Sequence, residues 1–292
     1  MLKQRVISAI VLIGIVFAAL FLFSPFAFAL AVAVVVAIGV WEWTQFMQFK
    51  MPIWRGIITG IAASFLFLWV YAEADFLNAG RVFVDLAQPI LLSAVIWWFA
   101  ALILVISYPK SAALWGKSLI LQFIFAFFTL VPFLIGILSL RLDHYITNPT
   151  YGVMQLLYVF ILIWGADSGA YFAGRAFGKH KLAPKVSPGK TWQGVFGGLV
   201  TAGVIAYLFL QFASVEFVQQ IKLGGKLTSF LGLSVATVAI SVLGDLTESM
   251  FKRTSGIKDS GNIIPGHGGV LDRIDSLTAA VPFFAYFYFF VI

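Results

Sequence analysis

The sequence predicts an all-α, polytopic integral membrane protein. Hydrophobic residues make up 61% of the 292 residues, charged residues only 11%, and the mean hydropathy is +1.00. This composition is too apolar for a single soluble core. Uncharged runs long enough to cross about 30 Å of hydrocarbon recur along the chain. Most of the charged residues lie between these runs, which predicts about nine transmembrane helices.

The first apolar run follows Lys3 and Arg5, and Ser24-Pro25 separates it from the second. A cleaved signal peptide is the competing interpretation of the first run, because residues 27–29 resemble a processing site. Pro132 is expected to kink the fifth span. The predicted spans cover approximately residues 6–23, 26–41, 57–72, 86–106, 118–140, 152–164, 192–212, 230–246 and 274–292.

We divide the chain into two regions. Residues 1–150 hold about five spans, and residues 151–292 hold the others together with two charged loops. One loop is predicted over residues 166–191, where Lys190 is one of several basic residues, and the other lies within residues 244–276. This second region is therefore the predicted catalytic part.

The basic residues predict the orientation of the chain, because lysine and arginine are enriched in cytoplasmic loops. With a cytoplasmic N-terminus, both charged loops face the cytoplasm, at the inner membrane. Only four of the 19 basic residues then lie outside, namely Arg81, Arg141, Lys222 and Lys226.

The net charge of +7 does not indicate nucleic acid as a partner, because the basic residues lie between membrane spans. Anionic lipid headgroups and phosphate-containing substrates are the expected partners. The chain has no cysteine, which excludes disulfides and thiolate metal sites. Glu42 ends the second span between two tryptophans; a membrane-interface belt explains the tryptophans but not the carboxylate.

The densest run of charge lies in residues 244–276. An ionised group among apolar helices costs several kcal/mol unless it is paired, metal-bound or wetted. If the preceding helix continues through Arg253, residues spaced by three and four positions share one face. This face carries Asp245, Glu248, Ser249 and Lys252.

A glycine-rich turn follows at residues 265–269, and its backbone N–H groups can approach a ligand closely. The next helix is predicted to begin near Val270, with its positive end at that turn and with Asp272 and Asp275 on one face. Two separated carboxylate pairs, bases between them and an anion-accepting turn suit a divalent metal that binds a polyphosphate.

These residues also resemble a known family, phosphatidate cytidylyltransferase or CDP-diacylglycerol synthase. The resemblance rests on Ser249-x-Phe251-Lys252-Arg253, Lys258-Asp259-x-Gly261 and Pro265-x-His267-Gly268-Gly269-x-x-Asp272-Arg273-x-Asp275. Residues 167–171 and 187–191 resemble further segments of the same family. The resemblance implies an enzyme that uses Mg²⁺ to convert CTP and phosphatidic acid into CDP-diacylglycerol and pyrophosphate. A second cation and a homodimer are further, open expectations.

On this interpretation the carboxylates bind metal, with Asp245 and Asp272 as ligands and Asp275 and Glu248 as second choices or outer partners. Lys252 and Arg273 join Asp245 and Asp272 as the catalytic set. The predicted substrate-binding residues are Asp167, Ser187, Lys190, Thr191, Ser249, Arg253, Lys258, Asp259, His267, Gly268 and Gly269.

Three alternatives remain open at this point. His267 could be a metal ligand, although a phosphate contact or a role in the turn is preferred. A CTP-dependent lipid kinase resembling dolichol kinase would share the nucleotide and the membrane. A transporter would explain the spans, but transporters place charge near the membrane midplane, whereas here it lies in loops and helix ends.

Overall fold

The computed structural model describes residues 2–49, 51–79, 84–213 and 226–292, without the side chains of Leu2, Lys3, Arg5, Val84 and Asp85. Lys50, Arg81 and Lys222, which entered the prediction of orientation, lie outside these residues. The described elements are α1 (Leu2–Leu22), α2 (Pro25–Phe46), α3 (Pro52–Ala72), α4 (Ala74–Asn78), α5 (Val84–Ile106), α6 (Ala112–Trp115), α7 (Leu119–Leu142), α8 (Tyr151–Phe177), β1 (Lys181–Ala183), β2 (Ser187–Thr191), α9 (Trp192–Phe212), α10 (Leu227–Thr254) and α11 (Leu271–Phe290).

Long apolar helices dominate the fold, as the sequence predicts. Within the described residues, seven helices are long and apolar enough to cross a membrane: α2, α3, α5, α7, α8, α9 and α10. The apolar part of α1 is shorter, over Val6–Leu22, and α11 falls outside this set. The chain is thus an integral membrane protein, while the count of about nine spans stays a prediction.

The end of the sixth predicted span is wrong. Residues 166–177 were expected to be part of a loop, but α8 continues to Phe177. Its glycines lie against α9, so a Cβ at Gly169 would collide with Thr201, and one at Gly197 would collide with Ala173. Small residues therefore serve close helix packing here and not a loop. The rest of the predicted loop contains an antiparallel hairpin, β1 with β2.

An aromatic cluster joins the end of α2 to the end of α10. The Phe251 ring lies 5.0 Å from that of Trp43 and 4.9 Å from that of Trp115, measured between centroids. Phe46 stacks on Phe251 at 5.8 Å. Such pairs stabilise packing by about 0.5–1.5 kcal/mol each beyond the area they bury. The cluster fixes the end of α2 beside the charged segment predicted from the sequence.

Helices α10 and α11 lie in close contact at Gly244. A Cβ at this position would lie 2.5 Å from the carbonyl oxygen of Asp275 and 3.0 Å from Cβ of Ala279. The missing side chain therefore lets the first turn of α11 lie directly against α10. This contact positions two of the predicted carboxylates, Asp245 and Asp275, on facing helices.

We expect the substitution Gly244→Ala to force α10 and α11 apart and to lower the free energy of unfolding by about 1–3 kcal/mol. Thermal unfolding of the purified protein in detergent measures this change. Gly232→Ala is the matched control on α10, because a Cβ there meets no atom within 4 Å. Equal melting temperatures for the two variants would contradict the proposed close approach.

Candidate active site

The middle of α8, the last three turns of α10 and the start of α11 surround a cavity of about 420 Å³. Its wall is mostly charged, and Ile163, Trp164 and Leu277 are its apolar residues. The predicted residues that line it are Asp167, Asp245, Lys252, Asp259, Asp272, Arg273 and Asp275. Asp245 and Asp272 thus face a common cavity, as the metal-site prediction requires.

Lys252 connects the two helices electrostatically. Its Nζ donates to Glu248 Oε2 at 2.7 Å on the same helix and to Asp272 Oδ1 at 2.6 Å on α11. The three side chains are largely buried, with exposed fractions of 13% for Lys252, 6% for Glu248 and 5% for Asp272. The spacing of Glu248 and Lys252 follows from helix geometry, since residues four apart are neighbours on a helix.

The second oxygen of Asp272 is also occupied. Asp272 Oδ2 accepts hydrogen bonds from the backbone N–H groups of Ser260 and Gly269, both at 2.8 Å. Burial acts to raise the pKa of Asp272, but the hydrogen bonds from Lys252, Gly269 and Ser260 outweigh it, and the pKa lies below its ordinary value. Asp272 is therefore ionised at neutral pH and holds the glycine-rich turn against α11.

Asp245 is held from the hairpin. Lys190 on β2 places Nζ 2.8 Å from Asp245 Oδ2, and Ser249 donates to Asp245 Oδ1 at 3.3 Å. Arg253 Nε donates to the carbonyl of Val186 at 3.3 Å, which fixes the hairpin on α10. Both charged segments predicted from the sequence therefore meet in one site.

Two further carboxylates have no cationic partner. Among the described residues, neither Asp167 nor Asp275 forms an ion pair, and Asp275 Oδ1 accepts only from the N–H of Ser276, at 2.6 Å. In the same part of the chain, no three carboxylate or imidazole groups are close enough to hold one metal ion. A metal here would take one or two carboxylates and complete its coordination with water and substrate phosphates, as Mg²⁺ commonly does.

Several predicted binding residues have other partners. Thr191 is buried and caps α9 by accepting from the N–H of Gly194, so its hydroxyl is not presented to the cavity. The N–H groups of Gly268 and Gly269 donate to Ile264 O and Asp272 Oδ2, so a phosphate contact at them stays a prediction. The predicted site residues that do not line the large cavity are Ser187, Lys190, Thr191, Ser249, Arg253, Lys258, His267, Gly268, Gly269 and Glu248.

His267 and Glu248 each keep a buried polar atom without a partner among the described residues, namely Nδ1 and Oε1. Glu248 faces a separate, much smaller cavity of about 10 Å³, which it shares with Trp98 and Asp275. A space of this size matches a single water molecule. Their roles as metal ligands stay predictions.

Sequence reasoning missed two features of the site. It did not place Ile163 and Trp164, because nothing in a long apolar run marks the residues that face a cavity. It noted Glu42 but found no role for it. In the structure, Glu42 is completely buried, and its carboxylate accepts from the N–H groups of Val270 and Leu271. That contact joins residues too far apart in sequence for any local pattern to reveal.

The charged residues of the site suit the binding of two anionic substrates. Lys190, Lys252 and Arg273 supply cationic groups that can contact phosphate oxygens. The carboxylates of Asp167, Asp245 and Asp275 supply the hard oxygen ligands that a divalent cation prefers. Trp164, one of the apolar lining residues, can contact the hydrocarbon of a lipid.

Comparison with known proteins agrees with this chemistry. Residues 3–291 match the model of the "Cytidylyltransferase family". A phosphatidate cytidylyltransferase of Haemophilus influenzae is 63% identical over 292 residues, which is 100% of each chain. One of Pseudomonas aeruginosa is 42% identical over 98% of this chain and 96% of its own length. One of Bacillus subtilis is 45% identical over 46% of each chain.

Proposed function

Because the chain belongs to the cytidylyltransferase family, we propose that it transfers a cytidylyl group from CTP to phosphatidic acid. The products are CDP-diacylglycerol and pyrophosphate, which makes the protein a nucleotidyltransferase of phospholipid biosynthesis. The observation that carries this proposal is the cavity of about 420 Å³ between α8, α10 and α11, which is lined by charged residues together with Ile163, Trp164 and Leu277. Such a cavity suits a nucleoside triphosphate and a lipid headgroup at the same time.

The reaction is an in-line displacement at the α-phosphorus of CTP. An oxygen of the phosphatidate phosphate forms the new P–O bond, and the bond to the β-phosphate oxygen breaks, so that its electron pair leaves with pyrophosphate. Phosphoryl chemistry of this kind requires positioning and charge neutralisation more than covalent catalysis. Arg273, exposed at the cavity, and Lys190 hold phosphate oxygens in this scheme. Lys252 holds the Asp272 carboxylate in place, and that carboxylate binds the glycine-rich turn through the N–H of Gly269.

Mg²⁺ fits the residues at the site. Among the described residues, Asp167 and Asp275 line the cavity without an ion pair, and Asp245 pairs with Lys190 alone. Carboxylates in this state suit a hard divalent cation shared with substrate phosphates. Asp245 and Asp275 would hold it, with Asp167 and Asp272 nearby. When bound, the ion would neutralise charge on the transferring phosphoryl group.

The lipid enters from the bilayer in this proposal. Trp164 is 39% exposed on α8 and also lines the cavity, so it lies where a lipid-facing surface meets the charged site. The acyl chains stay in the membrane while the headgroup reaches CTP at the cytoplasmic surface. We propose the inner membrane as the location, with about nine spans and a cytoplasmic N-terminus. The hydrogen bond from Ser8 Oγ to Pro265 O supports an N-terminus on the same side as the glycine-rich turn, because it joins α1 to that turn.

The proposed function is tested with purified protein in detergent, supplied with CTP, Mg²⁺ and phosphatidic acid. We expect release of pyrophosphate and formation of a CDP-lipid in equal amounts. Release of CDP together with a phosphorylated lipid would instead favour a lipid kinase. Solute movement across reconstituted vesicles without consumption of CTP would favour a transporter.

We expect Trp164→Ala to raise KM for phosphatidic acid by about fivefold, equivalent to about 1 kcal/mol of lost apolar contact, while KM for CTP stays unchanged. Steady-state kinetics with mixed micelles of varied lipid content measures both constants. Trp54→Ala is the matched control, because Trp54 is 47% exposed on α3 and does not line the cavity. Equal increases in both KM values would argue against a lipid-specific contact.

A further inference from the structure

Glu42 is completely buried at the end of α2, and its carboxylate accepts three hydrogen bonds. Oε1 accepts from the N–H of Val270 at 2.9 Å, and Oε2 accepts from the N–H of Leu271 at 2.7 Å and from Ser260 Oγ at 3.1 Å. No lysine or arginine pairs with Glu42 in the described part of the chain. A buried carboxylate is tolerated only when donors satisfy it in this way.

The donors belong to the segment that carries the proposed catalytic residues. Val270 and Leu271 supply N–H groups that begin α11, and a carboxylate is favourable at this positive end of a helix. The next residue along the helix is Asp272. Glu42 therefore fixes the first turn of α11 from a helix in the other half of the chain.

Ser260 provides a second connection to Asp272. The hydroxyl of Ser260 donates to Glu42 and accepts from the N–H of Asp272 at 3.3 Å. The backbone N–H of Ser260 donates to Asp272 Oδ2 at 2.8 Å. Gln45, one turn after Glu42, donates to the carbonyl oxygen of Ser260 at 2.5 Å. Helix α2 thus holds the loop before α11 through two side chains.

The turn is built to let Glu42 approach. A Cβ at Gly269 would lie 2.6 Å from Glu42 Oε2 and would collide with Ser260 Oγ. Any side chain at this position would separate the carboxylate from its donors. The glycine at 269 is therefore explained by contact with Glu42, independently of any ligand.

We propose that Glu42 is a positioning residue for nucleotidyl transfer, which holds the glycine-rich turn and the start of α11 so that Asp272 and Asp275 face the cavity. The proposal rests on the proposed function. Glu42 does not line the large cavity, so it acts through Ser260 and the backbone of residues 269–271 and contacts no substrate.

The test compares Glu42→Gln with the parent protein at a temperature well below unfolding. Glutamine keeps the size of the side chain, but its NH₂ group cannot accept, so at least one of the three donors loses its partner. We expect kcat to fall by about tenfold or more, as for outer partners of catalytic groups. We also expect faster hydrogen exchange at the amides of Val270 and Leu271, with the later turns of α11 still protected.

Thr44→Val is the matched control on α2. Thr44 is equally buried, but its hydroxyl donates to the carbonyl oxygen of Trp41 and accepts from Arg55, away from the loop. This variant should keep the parent kcat and the parent exchange rates at Val270 and Leu271. A Thr44→Val variant with the same losses as Glu42→Gln would overturn the proposal, because burial on α2 alone would then explain them.

Ser260→Ala provides a second route if Glu42→Gln does not fold. It removes one donor to Glu42, and we expect a severalfold lower kcat with little change in melting temperature. If both variants fold, the double variant should lose less activity than the product of the two single losses, because both changes break the hydrogen bond between Ser260 and Glu42. Losses in kcat that multiply in the double variant would refute the connection between Ser260 and Glu42, as would a Ser260→Ala variant with the parent kcat.

A parent protein that forms no CDP-lipid would refute the proposed function, whereas a fully active Glu42→Gln variant refutes only the positioning role.

Discussion

Replacing Asp272 with asparagine is expected to lower kcat for CDP-lipid formation by at least about 100-fold, which corresponds to about 2.7 kcal/mol of transition-state stabilisation. The side chain keeps its shape, but it loses the charge that pairs with Lys252 Nζ at 2.6 Å. One of its atoms becomes an NH₂ group facing either Lys252 or the N–H groups of Ser260 and Gly269. The steady-state rate of pyrophosphate release measures the loss.

The effect of Asp272→Asn must be separated from unfolding. Asp75→Asn is the control, because Asp75 lies in the short helix α4, outside the cavity. It should retain the parent rate. The melting temperature of Asp272→Asn in detergent should stay high enough for the protein to remain folded in the assay. A folded Asp272→Asn protein with the parent rate would remove Asp272 from the catalytic set.

The second large effect is expected for Lys252→Met, which leaves Glu248 and Asp272 buried without their shared cation. Removing one partner of a buried ion pair typically costs about 3–5 kcal/mol, because the remaining charge has no compensation. Methionine retains most of the apolar length of lysine, so the loss reports charge and not volume. Thermal unfolding in detergent and the rate of pyrophosphate release measure the two consequences.

A second change distinguishes stability from catalysis in this variant. Adding Glu248→Gln to Lys252→Met removes one of the two uncompensated charges and should recover part of the melting temperature. Activity should not return, because Asp272 still lacks its partner. Lys117→Met is the control for losing a lysine, since Lys117 is exposed between α6 and α7. A stable Lys252→Met variant would show that the buried triad contributes little to the fold.

The long helices were predictable because their signal is local. Helix α9 has the predicted bounds, Trp192–Phe212, since its apolar run begins after the N-cap Thr191. Helix α10 continues through Arg253, which is the condition under which the sequence places Asp245, Glu248 and Lys252 on one face. The convergence of Asp245 and Asp272 on one cavity was also predictable, because Asp245 lies in the last turns of one helix and Asp272 in the first turn of the next, with a polar segment between them.

Other features depend on contacts that no local pattern contains. Helix α8 continues through a glycine- and alanine-rich stretch because α9 packs against it, and that packing is tertiary. The hairpin of β1 and β2 lies in a polar segment with proline, which carries a weak strand signal. Thr191 looks like a phosphate contact in sequence but serves as a helix cap.

The tight fit between Glu42 and Gly269 has a consequence for how such chains can change over evolution. Because the Glu42 carboxylate and Ser260 Oγ fill the space that a Cβ at position 269 would need, a substitution at 269 is constrained by the residue at 42. A larger residue at 269 becomes acceptable only after position 42 shortens, and a shortened residue 42 leaves the start of α11 without its acceptor. Among descendants of a common ancestor, substitutions at 42 and 269 should therefore arise as pairs, in spite of the intervening distance along the gene.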